Sequence, residues 1–126
     1  MFRMIKNEEF IDLHEKLVQE LRRGVVVLAA LSQLKDPKYG YALIDDLSRQ
    51  GLVIDQGTLY PLLRRLEEQG LLQSEWSVEG SRPRRYYQVS PAGCELLGSL
   101  RMDWRQLVQV VDSLLDGTKG DCHGTD

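Results

Sequence analysis

Cysteine, long apolar runs and surplus positive charge are all scarce in this sequence of 126 residues, and each scarcity excludes something. The only cysteines are Cys94 and Cys122, too few and too far apart for a disulfide framework, so reduced thiols are expected. No apolar run approaches the roughly 20 residues of a membrane span, and the start, MFRMIKNEEF, lacks the apolar core of a signal peptide. A cytoplasmic protein without membrane contact is expected. The net charge of −3 and the pI near 5.4 argue against a generally basic nucleic-acid coat. Metal-ligand spacing is missing too: Cys122-His123 has no second pair to complete a site, and His14 reads as a helix-surface histidine. Neither a nucleophile–base pairing nor a phosphate-cradling glycine loop is present, so no cofactor and no enzymatic activity are expected.

What is there suits one folded domain. With 42% hydrophobic and 28% charged residues, the chain can bury roughly two thirds of its unfolded surface. Charge is uneven along it. Between Gln56 and Ser90 five arginines face four glutamates, +1, which leaves −4 for the rest. Only a contacted face needs to be positive for a polyanion to bind.

Asn7 is the expected N-cap of an amphipathic helix carrying Phe10, Leu13, Leu17 and Leu21. Arg22, Arg23 and Gly24 interrupt it before an apolar helix, Val25 to Leu34. Asp36-Pro37-Lys38-Tyr39-Gly40 reads as a turn, Tyr41 to Gln50 as a short helix, and Gly51 as its C′ residue. Asp55 caps a third helix that Gly70 closes. Within it, Leu59, Leu62, Leu63 and Leu66 form one apolar stripe. The opposite side carries Gly57, Tyr60, Pro61, Arg64 and Glu68, flanked by Gln56 and Arg65. Gly57 and Pro61 are two helix breakers at one end, which implies an irregular first turn or a bend and a backbone shape that is used.

After Gly70 the apolar period changes to 2. Leu72, Ser74 and Trp76, then Tyr87 and Val89, mark a hairpin whose loop and second strand hold Arg82, Arg84 and Arg85. Ser90-Pro91 starts a last helix, in which Leu97, Leu100, Trp104, Leu107, Val111 and Leu114 follow a heptad spacing over about two and a half heptads. The polar, glycine-rich residues 118–126 are expected to be disordered.

Three helices followed by a hairpin is the order of a winged helix-turn-helix, an α+β fold that is mainly α. In that fold the third helix enters the DNA major groove and the hairpin tip reaches the flanking backbone or minor groove. The details resemble the PadR family of bacterial transcriptional regulators. The residues that carry the likeness are Tyr39-Gly40-Tyr41-Ala42-Leu43, the block from Gly57-Thr58-Leu59-Tyr60-Pro61 through Leu62-Leu63-Arg64-Arg65-Leu66-Glu67, Gly70-Leu71-Leu72, Arg82-Pro83-Arg84-Arg85-Tyr86-Tyr87, and Gly93. The likeness spans about Leu21 to Gly93, with Val89-Ser90 standing where leucine and threonine are more usual. It implies a homodimeric repressor whose C-terminal helices complete the dimer, and in some members a flat aromatic effector held beside a tryptophan at the dimer interface.

The resulting expectations are an N-terminal dimer-supporting helix at 1–24, a winged helix-turn-helix at 25–90 and a C-terminal dimerisation helix at 91–117. Operator DNA, pseudo-palindromic and double-stranded, would meet Tyr41, Gln56, Gly57, Thr58, Tyr60, Pro61, Arg64, Arg65, Arg82, Arg84 and Arg85. Phe10, Leu13 and Leu17 would join the heptad seam in the dimer. Several residues keep two readings. Arg65 contacts DNA or pairs with Glu68; of Tyr39 and Tyr41 one packs and the other touches phosphate; at least one of Tyr86 and Tyr87 is buried. Trp104 is plain dimer core or the wall of an effector pocket. For the whole chain the alternative is a protein-interaction module that uses the same scaffold without binding DNA.

Overall fold

The computed structural model describes residues 4–78 and 80–117, so the expected disordered tail, 118–126 with Cys122 and His123, lies outside the described residues. The first helix, α1, runs from Asn7 to Gln33 without a break. This corrects the expected interruption at Arg22–Gly24. The arginines are good helix formers, a lone glycine costs only about 1 kcal/mol, and burial of Val26, Ala30 and Leu31 holds the second half in place. The boundary drawn at residue 24 thus falls inside one helix. Asn7 is not the cap: Lys6 occupies that position, with extended backbone and no side-chain bond.

The expected turn contains a strand, β1, Lys38–Tyr39. Helix α2, Gly40–Arg49, follows directly. Gly51, at φ 100°, closes it as expected: its N–H donates to Ser48 O and that of Leu52 to Leu47 O, a Schellman motif. Helix α3 spans Gln56–Glu68. At its start Asp55 Oδ1 accepts from Thr58 N at 2.7 Å. That bond holds the Asp55 carboxyl below its usual range. Gly70, at φ 82°, ends α3 with a second Schellman motif, Gly70 N to Glu67 O and Leu71 N to Leu66 O.

The hairpin strands are β2, Leu72–Ser77, and β3, Arg84–Val89. β3 lies central in an antiparallel sheet of order β1-β3-β2. Helix α4, Pro91–Gly117, leaves from Ser90. As expected, Ser90 is the cap: its buried hydroxyl accepts from Gly93 N and donates to Gly70 O.

The leucine stripe of α3 is core. Leu59 and Leu63 are wholly buried with Leu31, Leu34 and Leu43, and Leu62 and Leu66 are nearly so. Tyr87, Val89 and Leu72 close this core from the sheet. Leu97 also belongs to it, at 6% exposure, and Leu100 packs against it. Leu97 is therefore used up within the protomer, which corrects its place on a dimer seam: the first turns of α4 pack on the domain, and only later turns project.

Candidate nucleic-acid interface

With its stripe buried, α3 turns Gln56, Gly57, Thr58, Pro61, Arg64 and Arg65 outward, all exposed. Pro61 stands four residues after Gly57, so its ring crowds the Gly57 carbonyl and removes that carbonyl's helical partner. Helix α3 nevertheless continues through both. A Cβ built on Gly57 would meet nothing closer than Asp55 Oδ1 at 3.7 Å. The fold itself does not need glycine there; a surface that must approach the backbone would.

Tyr60 is half-buried, because its ring lies on Gly40: a Cβ there would stand 2.0 Å from Tyr60 Cε1. Gly40 thus seats the tyrosine at the junction of α2 and α3. Tyr41 is 60% exposed. Tyr39 packs, edge to face, against Tyr86 at 5.7 Å between centroids, and Arg84 lies 4.5 Å over its ring. Of the hairpin tyrosines, Tyr87 is the buried one, and burial raises its hydroxyl pKa.

Between α3 and the hairpin runs an open groove of about 460 Å³, lined by Tyr39, Gly40, Tyr60, Trp76 and Tyr87 together with Arg64, Arg84 and Arg85. The structure brings Arg64 of α3 and Arg84 of β3 onto one concave surface. Arg82 is not in that groove; it lines a smaller hollow at the hairpin tip with Arg84, Gly80 and Tyr86. Both Arg82 and Arg84 are exposed. Arg85 differs: its Nη2 is 2.9 Å from Glu67 Oε1 and its Nε donates to Ser74 Oγ at 2.9 Å. Arg65 makes no ion pair with Glu68 among the described residues, which leaves its guanidinium open to solvent.

Two features escaped the sequence reading. Trp76 shares the face of Leu72 and Ser74, but the hairpin outruns the core and leaves it 64% exposed. Its cross-strand partner is Arg85, and that pairing, an aromatic opposite an arginine, was the available signal. Arg22 and Arg23, read only as a helix interruption, line a hollow of about 300 Å³ beside Asp55 and Thr58 at the start of α3. Among the described residues no group of three His, Cys, Asp or Glu side chains could hold a metal ion, and no helix is long and apolar enough to cross a membrane.

The profile of the transcriptional regulator PadR-like family matches residues 27–99, more than half of the chain. The chain belongs to this family. A transcriptional regulator of Mycobacterium tuberculosis is 40% identical over 101 residues, covering 79% of this chain and 92% of the relative. The crystal structure of a PadR family transcriptional regulator from Eggerthella lenta superposes with a TM-score of 0.80 at 47% identity, covering 84% of this chain and 95% of the other. A PadR-like transcriptional regulator from Bacillus cereus gives 0.68 at 27% identity, covering 76% and 96%. This PadR-like protein is a transcriptional regulator with a winged-helix fold.

Its α1 and α4 both carry exposed apolar residues. Phe10, Leu13, Leu17, Leu107, Val111 and Leu114 are 45–66% exposed, and Trp104 is 43% exposed. Trp104 also walls a groove of about 470 Å³ between the two helices, with Leu21, Val25, Leu28, Leu100 and Leu107.

Proposed function

We propose that this PadR-like regulator is a cytoplasmic, homodimeric repressor that binds operator DNA through α3 and the hairpin. The observation that carries the reading is the shared groove: Arg64 on the outer face of α3 and Arg84 on β3 line one opening. Arg64 and Gln56 read base edges in the major groove, Arg65 follows the phosphates, and Arg82 and Arg84 hold the backbone beside the hairpin. Thr58 and Tyr41 offer hydroxyls to phosphate, and so does Tyr60 across the seat that Gly40 provides. Gly57 and Pro61 shape the end of α3 that approaches the duplex.

The exposed apolar side chains of α1 and α4, some of which line the groove between the two helices, support the dimer, since large exposed apolar surface is uncommon on a monomer. Two protomers would set their α3 helices one duplex turn apart, roughly 34 Å, on a pseudo-palindrome. Log K for the operator is expected to fall linearly with log salt. For six to ten phosphate contacts in the dimer the loss is roughly a thousandfold to a hundred-thousandfold between about 50 and 200 mM. A Kd that stays flat over that range would count against DNA binding and favour a protein-interaction role for the scaffold.

The groove beside Trp104 supports a planar aromatic effector. In a Trp76→Phe variant, where Trp104 is the remaining tryptophan, a planar cationic dye is expected to quench fluorescence saturably and to weaken operator binding. Unchanged emission across a full dye titration would remove the effector from the account.

A further inference from the structure

Arg84 and Arg85 are neighbours in sequence, yet the structure treats them differently. Arg84 is exposed over the Tyr39 ring. Arg85 turns inward: Nη2 meets Glu67 Oε1, Nε donates to Ser74 Oγ, and the Ser74 hydroxyl donates to Glu67 Oε2. Three side chains thus close a ring in which both oxygens of the carboxylate are engaged. The ring joins the last turn of α3 to β2 and β3. The guanidinium also lies 5.8 Å from the Trp76 ring centroid and 5.6 Å from that of Tyr87. With the arginine and glutamate side chains 39% and 27% exposed, solvent screens the pair less than a free surface pair.

We infer that Glu67, Ser74 and Arg85 form a latch that fixes the angle between α3 and the hairpin, and that Arg85 supports DNA binding as a positioning residue without touching DNA. The inference rests on the DNA-binding reading above. A two-armed surface binds best when both arms are held in the bound geometry beforehand, because no ordering cost is then paid on contact. The hydrogen-bonded ring supplies that rigidity between the helix that reads the groove and the hairpin that follows the backbone. It also makes a prediction opposite in sign to plain charge bookkeeping. Removing the negative charge of Glu67 beside a polyanion should tighten binding on Coulombic grounds, whereas loss of the latch should weaken it.

The test measures Kd and its salt slope for Glu67→Gln, Arg85→Gln and the double variant, on the duplex that the wild-type protein selects from random DNA. Each single variant is expected to bind about tenfold more weakly, the double no worse than the weaker single, and all with the wild-type slope. Glu67→Gln binding as tightly as wild type, or more tightly, overturns the latch. So does a slope that drops in Arg85→Gln by about 0.9 per protomer, the signature of a lost phosphate contact. Arg85→Lys keeps the charge but not the planar fork, and carries the test if either glutamine variant is unfolded. On the latch it loses affinity like Arg85→Gln; affinity equal to wild type overturns it. If wild-type protein selects no duplex at all, the DNA-binding reading fails and the latch with it; if wild type binds and the variants follow charge alone, only the latch fails.

Discussion

Arg64→Ala is expected to weaken operator binding about thirtyfold or more while leaving the melting temperature unchanged. The arginine is exposed on α3, opposite the leucine stripe, and lines the groove with Arg84. Its removal therefore costs the fold nothing. A bidentate arginine–guanine contact is worth about 1–3 kcal/mol, and a dimer loses it twice. The loss should be concentrated at one base position in each half-site, so preference there relaxes. Arg84→Ala provides the contrast, with weaker binding on all sequences and a smaller salt slope. Binding curves on the operator and on duplexes changed at single positions check this. Equal loss on every sequence for Arg64→Ala would reassign that residue to the phosphates.

Gly93→Ala is expected to destabilise the fold by about 3 kcal/mol, read as a lower midpoint in urea or heat at fixed protein concentration. A Cβ at this position would lie 2.2 Å from Leu71 O and 2.6 Å from Val89 Cγ2. Neither neighbour is free to yield. Leu71 O accepts from Ser90 N at 2.9 Å, and the Gly93 N–H itself holds the Ser90 hydroxyl. Val89 is core and donates its own N–H to Leu34 O. The methyl group would thus push α4 away from the end of α3 and from β3 together. A midpoint equal to wild type would mean that this junction is looser than the geometry allows.

The parts legible in the sequence are those whose chemistry is local. Asp55, Gly51, Gly70 and Ser90-Pro91 each cap or close a helix through bonds spanning a few residues, and each does so in the structure. The stripe Leu59, Leu62, Leu63 and Leu66 is local in the same sense, because helical period alone puts those residues on one side. The outer face of α3 followed from the stripe.

Other features needed the third dimension. Strand β1 has two residues and exists only because β3 lies beside it. Gly24 looks like a break, but packing of the residues beyond it carries α1 through. A heptad spacing does not say whether its partner is the same chain or another, so Leu97 looked like dimer seam although it lies in the core. Arg85 shows its type in sequence but not its partner, Glu67, which stands 18 residues earlier. Trp76 alternates like a core residue, and its exposure follows from how far the hairpin extends.

Selection of bound duplexes from random DNA by the purified, full-length protein tests the central claim most directly. The expected result is an inverted-repeat consensus whose half-sites are centred about one helical turn apart, 10 to 10.5 base pairs, with preference relaxed at one position in each half-site when Arg64→Ala makes the selection. Recovery of unenriched DNA by wild type, or of a consensus without inverted symmetry, would contradict a homodimer that reads DNA through α3.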